Sequence, residues 1–253
     1  LNLMTFDFLN HSEHETRLEA SKNLSGWLNE FPSLINSLFS IPYFTYTNFA
    51  PDSVEGSFQA FAHHSYLRAP YTMKSICDLL ESGYYLEGTI LIRNLYDLLV
   101  QNVYFVNNKE RLEDHVLDKK RIRLKKMFES ISPGCYDFLY PQLSEYSHGG
   151  LGSFHFRAKY SSPLKGEVIM GCKFDIKFAG YVQNNLQVLM FGFLNQVQTF
   201  FPTYVSLIPP EIELLRVKSI LWLEESINGH MAINPKSKKF YSYLNPIIGR
   251  VVI

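Results

Sequence analysis

From Phe178 to Pro210 the chain carries no charged residue. That run is longer than the ~20 residues a helix needs to cross a bilayer. It nevertheless contains Gln183, Asn184, Asn185, Gln187, Asn195, Gln196 and Gln198. In hydrocarbon, those amides would lose their water partners and remain costly to bury. No membrane insertion is therefore expected. The run predicts a central helix, either buried by the rest of the chain or covered by a partner subunit.

The remaining residues must supply the cover. Hydrophobic residues make up 46% and aromatics 15% of the 253 residues, enough for a substantial core and too apolar for a disordered chain. Lys+Arg and Asp+Glu both total 24, so the formal charge is zero, which argues against a generic polyanion binder. Cys77, Cys135 and Cys172 are far apart and odd in number, giving neither a disulfide framework nor a cysteine zinc site. That cysteine usage fits a reducing cytoplasm, and the opening "LNLMTFDFLNHSEHE" lacks the basic start and apolar run of a secretory signal. No phosphate-loop, nucleophile-elbow or zinc motif is present, so no metal and no cofactor are expected.

The fold class read from periodicity is mainly α: a single helical domain over 1–253 with one inserted β-hairpin. Ser12 and Glu15 have capping-box spacing before a helix over 12–39, which Pro32 should bend or break. Residues 40–52 read as aromatic loop, and a helix resumes near Ser53. Residues 71–107 read as one long helix or as two helices meeting around Ser82-Gly83, another spans about Lys109 to Glu129, and "PQLSEYSH" is a short helix begun by Pro141. Phe154, Phe156, Ala158 and Tyr160 alternate with polar residues, as do Val168, Met170, Cys172, Phe174 and Ile176. That period of two predicts strands at about 153–160 and 167–176, laid on the helices. Helices return at 178–201 and 210–229.

Within "LEGTILIRNLYDLLVQNVYFV", residues 86–106, Ile92, Leu95, Tyr96, Leu99, Val103 and Val106 form a core face. Glu87, Asn94, Asp97 and Gln101 form a polar stripe, with Arg93 one turn before Asp97. The stripe is either solvated, with a weak Arg–Asp pair, or lines a cleft. In "SEYSHGG", Ser144 and His148 share a helix face, and the glycines stop the helix. His148 is either favoured there by the helix dipole or free for chemistry. Lys119, Lys120, Arg121, Arg123, Lys125 and Lys126 form a basic run, either a solvated helix face or a nucleic-acid contact working through phosphates.

"LLESGYYLEGTILIRNLYDLLVQNVYFV" followed by "YPQLSEYSHGG" resembles a bacterial helical family of unknown function related to the HEPN superfamily. The resemblance covers about residues 70–150 and rests on Glu87, Gly88, Arg93, Asp97, Ser144 and His148. It implies a helical bundle acting as a homodimer, with RNA or a protein as partner, in settings such as phage defence. Many such proteins are metal-independent ribonucleases with an Arg followed by four to six residues and a His. Here the nearest arrangement is "RLEDH", with three residues between Arg111 and His115. The resemblance thus implies a non-catalytic module that binds a partner, a ligand or itself through the charge-free helix and aromatic surfaces. The alternative is a ribonuclease in which His148 is general acid or base and Arg93 stabilises the phosphorane, with Asp97 and Ser144 in support.

Overall fold

The charge-free run sits where its composition requires, at the centre of a helical bundle. The computed structural model describes residues 6–45, 53–117, 119–147, 158–162, 165–168, 172–202, 204–233 and 237–249. In chain order the helices are α1 (Phe6–Asn23), α2 (Ser25–Thr45), α3 (Val54–Glu81), α4 (Tyr85–Val106), α5 (Leu112–Val116), α6 (Leu124–Ile131) and α7 (Cys135–Ser147). After a short two-stranded ribbon follow α8 (Ile176–Asn195), α9 (Val197–Phe200), α10 (Tyr204–Leu207), α11 (Pro210–Ile233) and α12 (Ser237–Ile248).

Helix α8 starts at Asp175, whose carboxylate accepts from the backbone N–H groups of Lys177 and Phe178 at 2.9 and 3.4 Å. It packs against α2, α3, α4, α11 and α12, burying Val182, Leu186, Leu189 and Phe193. Its amides find partners inside the chain. The Tyr96 hydroxyl of α4 donates to Asn185 Oδ1 at 3.0 Å, and Asn185 Nδ2 donates to the Tyr181 carbonyl at 2.9 Å. Beyond the helix end, Asn195 and Gln196 donate to the carbonyls of Ile248 and Ile247 at 3.2 and 3.1 Å. Each such bond is worth about 0.5–1.5 kcal/mol made, and more than that is lost when a buried partner is left unpaired. The helix is therefore covered by its own chain.

Helix α4 is the second central element, packed on α3, α6, α7 and α8. Ile92, Leu95, Tyr96, Leu99 and Val103 are buried, as their spacing predicts, while Val106 is half-buried. The turn from α3 into α4 needs Gly83, at φ +81°, where a Cβ would lie 2.9 Å from Thr16 Cγ2 and 3.3 Å from the Lys173 backbone. On α11, the buried Arg216 donates to both Glu213 oxygens at 2.7 and 2.6 Å and to the Leu194 carbonyl at 2.8 Å. That ties α11 to the end of α8.

The structure corrects several expectations. The inserted hairpin expected over about 153–160 and 167–176 is not found with those bounds, and 153–157 and 169–171 lie outside the described residues. Residues 172–175 are not strand, and Ile176 opens α8. Strand pairing among the described residues is confined to Ala158–Ser162 with Lys165–Val168. The alternation at Cys172 and Phe174 has another cause. That stretch lies against helices, and side chains take its backbone donors: Cys172 N–H donates to Ser12 Oγ at 3.2 Å, and Asp175 N–H to the Tyr85 hydroxyl at 2.9 Å. Ser12 consequently lies inside α1, not at a cap, and its hydroxyl donates to the Leu9 carbonyl. Pro32 and Pro42 both lie within α2, and the break falls instead at Leu24. Residues 40–45 belong to α2, and the rest of the expected aromatic loop, 46–52, lies outside the described residues. Pro141 lies mid-helix in α7, and the Lys109–Glu129 helix is interrupted by non-helical residues at 117 and 119–123.

The packing makes a direct prediction. Phe193 is fully buried in α8, with its ring 5.4 Å from that of Tyr66. Phe193→Ala should lower unfolding free energy by about 3–5 kcal/mol in urea titrations followed by helical circular dichroism.

Candidate functional site

Three helices, α5, α6 and α7, and one loop converge on the polar stripe of α4. Asn94 is solvent-exposed, while Arg93, Asp97 and Gln101 are half-buried. The Arg93 guanidinium reaches α7, where Nε and Nη2 donate to the Tyr140 hydroxyl at 3.0 and 2.6 Å. Its Cζ stands 4.5 Å from the centroid of the same ring. Tyr140 is itself stacked on Tyr136, with centroids 4.4 Å apart and planes 17° apart. Arg93 and Tyr140 thus form a fixed joint between α4 and α7.

One turn further along α4, Asp97 Oδ1 is buried and has no hydrogen-bond partner among the described residues. Burial pushes the Asp97 carboxyl up to about 7, with Arg93 pulling in the opposite direction. Asp97 faces a cavity of about 540 Å³. Gln101 from α4 and Tyr140 from α7 line it beside Asp97. Leu124 and Met127 of α6 add an apolar wall, and Arg121, Ile122 and Arg123 of the preceding loop form another side.

His115 completes the lining from α5. Its Nδ1 accepts from the Ile122 backbone N–H at 3.1 Å, and its ring lies 5.0 Å from that of Phe105. An imidazole that accepts through Nδ1 carries its proton on Nε2 and serves as a donor there. The same bond anchors the loop, as does the Lys120 N–H donated to the Asp114 carbonyl at 3.0 Å.

The cavity therefore joins a proton-holding carboxyl, a fixed imidazole, two arginines and an apolar wall. It can bind an anionic group and exchange a proton with it. Among the expected site residues, Arg93 and Asp97 fall together on α4, and Arg121 and Arg123 line the same cavity as Asp97. Ser144 falls within α7, with its side chain outside the described residues, and His148 lies outside them altogether.

The basic run is not one helix face. Residues 119–123 are loop, and only Lys125 and Lys126 lie on α6 with Leu124. Lys125 bonds Asp137 at 2.8 Å and Lys119 lies 3.9 Å from Glu113, while Lys120 and Lys126 are exposed. A helix holding six cations on successive turns would suffer like-charge repulsion at several i,i+4 pairs, which the loop relieves. The charge-free helix is likewise no open binding face, since the chain itself covers it. Sequence reasoning missed His115 and Tyr140 as site residues. The crowding of cations after Asp118 was the available signal, because it marks the break that folds the loop back over His115.

A buried acid has a pH signature. Asp97 is held above its unfolded value, so the native state keeps the proton longer and stability falls as pH rises between about 4 and about 7. After discounting for partial solvent screening, the loss should be on the order of 1–3 kcal/mol. Asp97→Asn should flatten that part of the profile in urea unfolding at several pH values. An identical profile for both proteins would contradict the burial described.

No protein-family model, curated protein or solved structure matches this chain, and the reading of the site rests on its own geometry.

Proposed function

We propose that this chain is a non-catalytic, HEPN-like helical module that binds a ligand through an anionic group in the cavity among α4, α5, α6 and α7. One observation carries the reading. Arg121 and Arg123, from an exposed loop, line the same 540 Å³ cavity as Asp97, Gln101 and the His115 ring. Guanidinium groups bind carboxylates and phosphates bidentately, and a partly apolar pocket strengthens those bonds relative to open water. The cavity size suits a small molecule or the end of a larger partner. The resemblance over residues 70–150 supports a HEPN-like bundle, and the helical architecture agrees with it.

The alternative is metal-independent RNA cleavage by Arg93 and His148. Against it, Arg93 is engaged by the Tyr140 hydroxyl and ring.

The double variant Arg121→Ala/Arg123→Ala should weaken anion binding about ten-fold or more in titration calorimetry while leaving the circular dichroism spectrum unchanged, with wild-type binding reduced by added salt. Incubated with total RNA in EDTA, neither wild type nor His148→Ala should cleave. Cleavage by wild type that His148→Ala abolishes would replace the binding reading with the enzymatic one.

A further inference from the structure

Resting on the anion pocket proposed above, we propose that its ligand is a phosphoryl group that retains a proton, and that Asp97 accepts the hydrogen bond from that P–O–H. The argument concerns which polar groups the cavity offers. Arg121 and Arg123 can only donate. His115 uses Nδ1 as an acceptor for the Ile122 N–H, so its Nε2 carries the ring hydrogen and is a donor, not an acceptor. The Tyr140 hydroxyl oxygen already accepts from Arg93 through two nitrogens. Gln101 can donate or accept, and the carboxylate of Asp97, whose Oδ1 has no hydrogen-bond partner among the described residues, is the anionic acceptor on the lining.

An oxyanion with no proton, such as sulfate or a phosphodiester, offers acceptors alone. Seated among the arginines, it would press one of its oxygens against an ionised Asp97, and like charges a few ångströms apart repel. A phosphate that keeps one O–H supplies the missing donor and turns the repulsion into a short charge-assisted hydrogen bond. Inorganic phosphate keeps such a proton throughout the neutral range. A phosphate monoester loses its own with a pKa of about 6. The high pKa of Asp97 fits this arrangement, since at neutral pH acid and ligand would hold one proton between them.

The charged and titratable groups around Asp97 are Arg93 on α4, His115 on α5, Arg121 and Arg123 on the loop, and the neutral Tyr140 on α7. The α6 wall contributes only Leu124 and Met127. Those apolar side chains, and a volume larger than a phosphate ion needs, leave room for an organic substituent. Inorganic phosphate and a terminal phosphate monoester therefore share the required chemistry, and a measurement separates them.

Titration calorimetry of the full chain at about pH 8 would compare inorganic phosphate, sulfate, dimethyl phosphate and phenyl phosphate. Phosphate should bind about ten-fold or more tighter than sulfate or dimethyl phosphate, a difference typical of one charge-assisted hydrogen bond gained against a repulsion avoided. Asp97→Asn, which offers a donor as well as an acceptor, should bring sulfate to within about two-fold of phosphate. Lowering the pH to about 6 should narrow the wild-type preference over sulfate, because protonated Asp97 can then donate to it. If phenyl phosphate overtakes inorganic phosphate at the lower pH, the ligand is an organic monoester; if it does not, the ligand is the inorganic ion, and both results support the inference. Equal wild-type affinity for phosphate and sulfate at about pH 8 would overturn it and leave the anion pocket standing. So would a preference that Asp97→Asn does not change. No binding of any of the four anions would remove the anion pocket as well. The wild-type comparison stands without the variant if Asp97→Asn fails to fold.

Discussion

The hydrogen bond from the Tyr96 hydroxyl to the Asn185 side chain joins the two central helices, and much of the molecule depends on it. Both groups are buried, so breaking the bond would strand a donor and an acceptor without water. It also fixes the rotation of α4. Successive residues of a helix are turned by about 100°, so a Tyr96 aimed at α8 turns Asp97 away from it, toward α6 and α7. The polar stripe faces a cavity because the residue next to it is committed to the core.

A second joint sets the opposite side. Arg93 grips Tyr140 by its hydroxyl and its face, and Tyr140 stacks on Tyr136, so α7 is held at a set distance from α4. The result is local charge in a chain with none overall. Two arginines and a histidine converge where one carboxyl is too buried to ionise easily. Zero net charge excludes a broad field for attracting polyanions, but it does not exclude a small site that holds one anion by contact.

The central helices were legible in the sequence because their signals were redundant. Periodicity marked Ile92, Leu95, Tyr96 and Leu99, and the absence of charge marked the stretch that became α8. Ser53 and Gly83 also fell at helix boundaries as their residue types suggest. The failures share a cause. At Cys172 and Phe174, alternating apolar residues met helices rather than a second strand, and periodicity records which face is buried without recording what buries it. Ser12 had capping-box spacing, yet its hydroxyl serves Leu9 and Cys172, the second of these remote in sequence. For the site, Arg93 and Asp97 were visible as a pair on one helix. Arg121 and Arg123 were visible only as charge, and His115 was passed over. What unites them is a loop that doubles back so that the Ile122 N–H meets the His115 ring, a tertiary event that no local spacing announces.

That loop gives the cavity two walls of very different constraint. Asp97 and Gln101 stand on a helix whose other face is the core, so neither backbone position can shift without disturbing the packing beneath. Of residues 119–123, Ile122 packs on the edge of the core, but the four basic residues carry no such burden: they are exposed, and the loop is tethered through backbone groups at Lys120 and Ile122. Substitutions along the loop would thus change the size and charge of what the pocket admits at little cost in stability. The carboxyl on α4 is the part of this site that the core holds in place, and the loop is the part whose side chains can change.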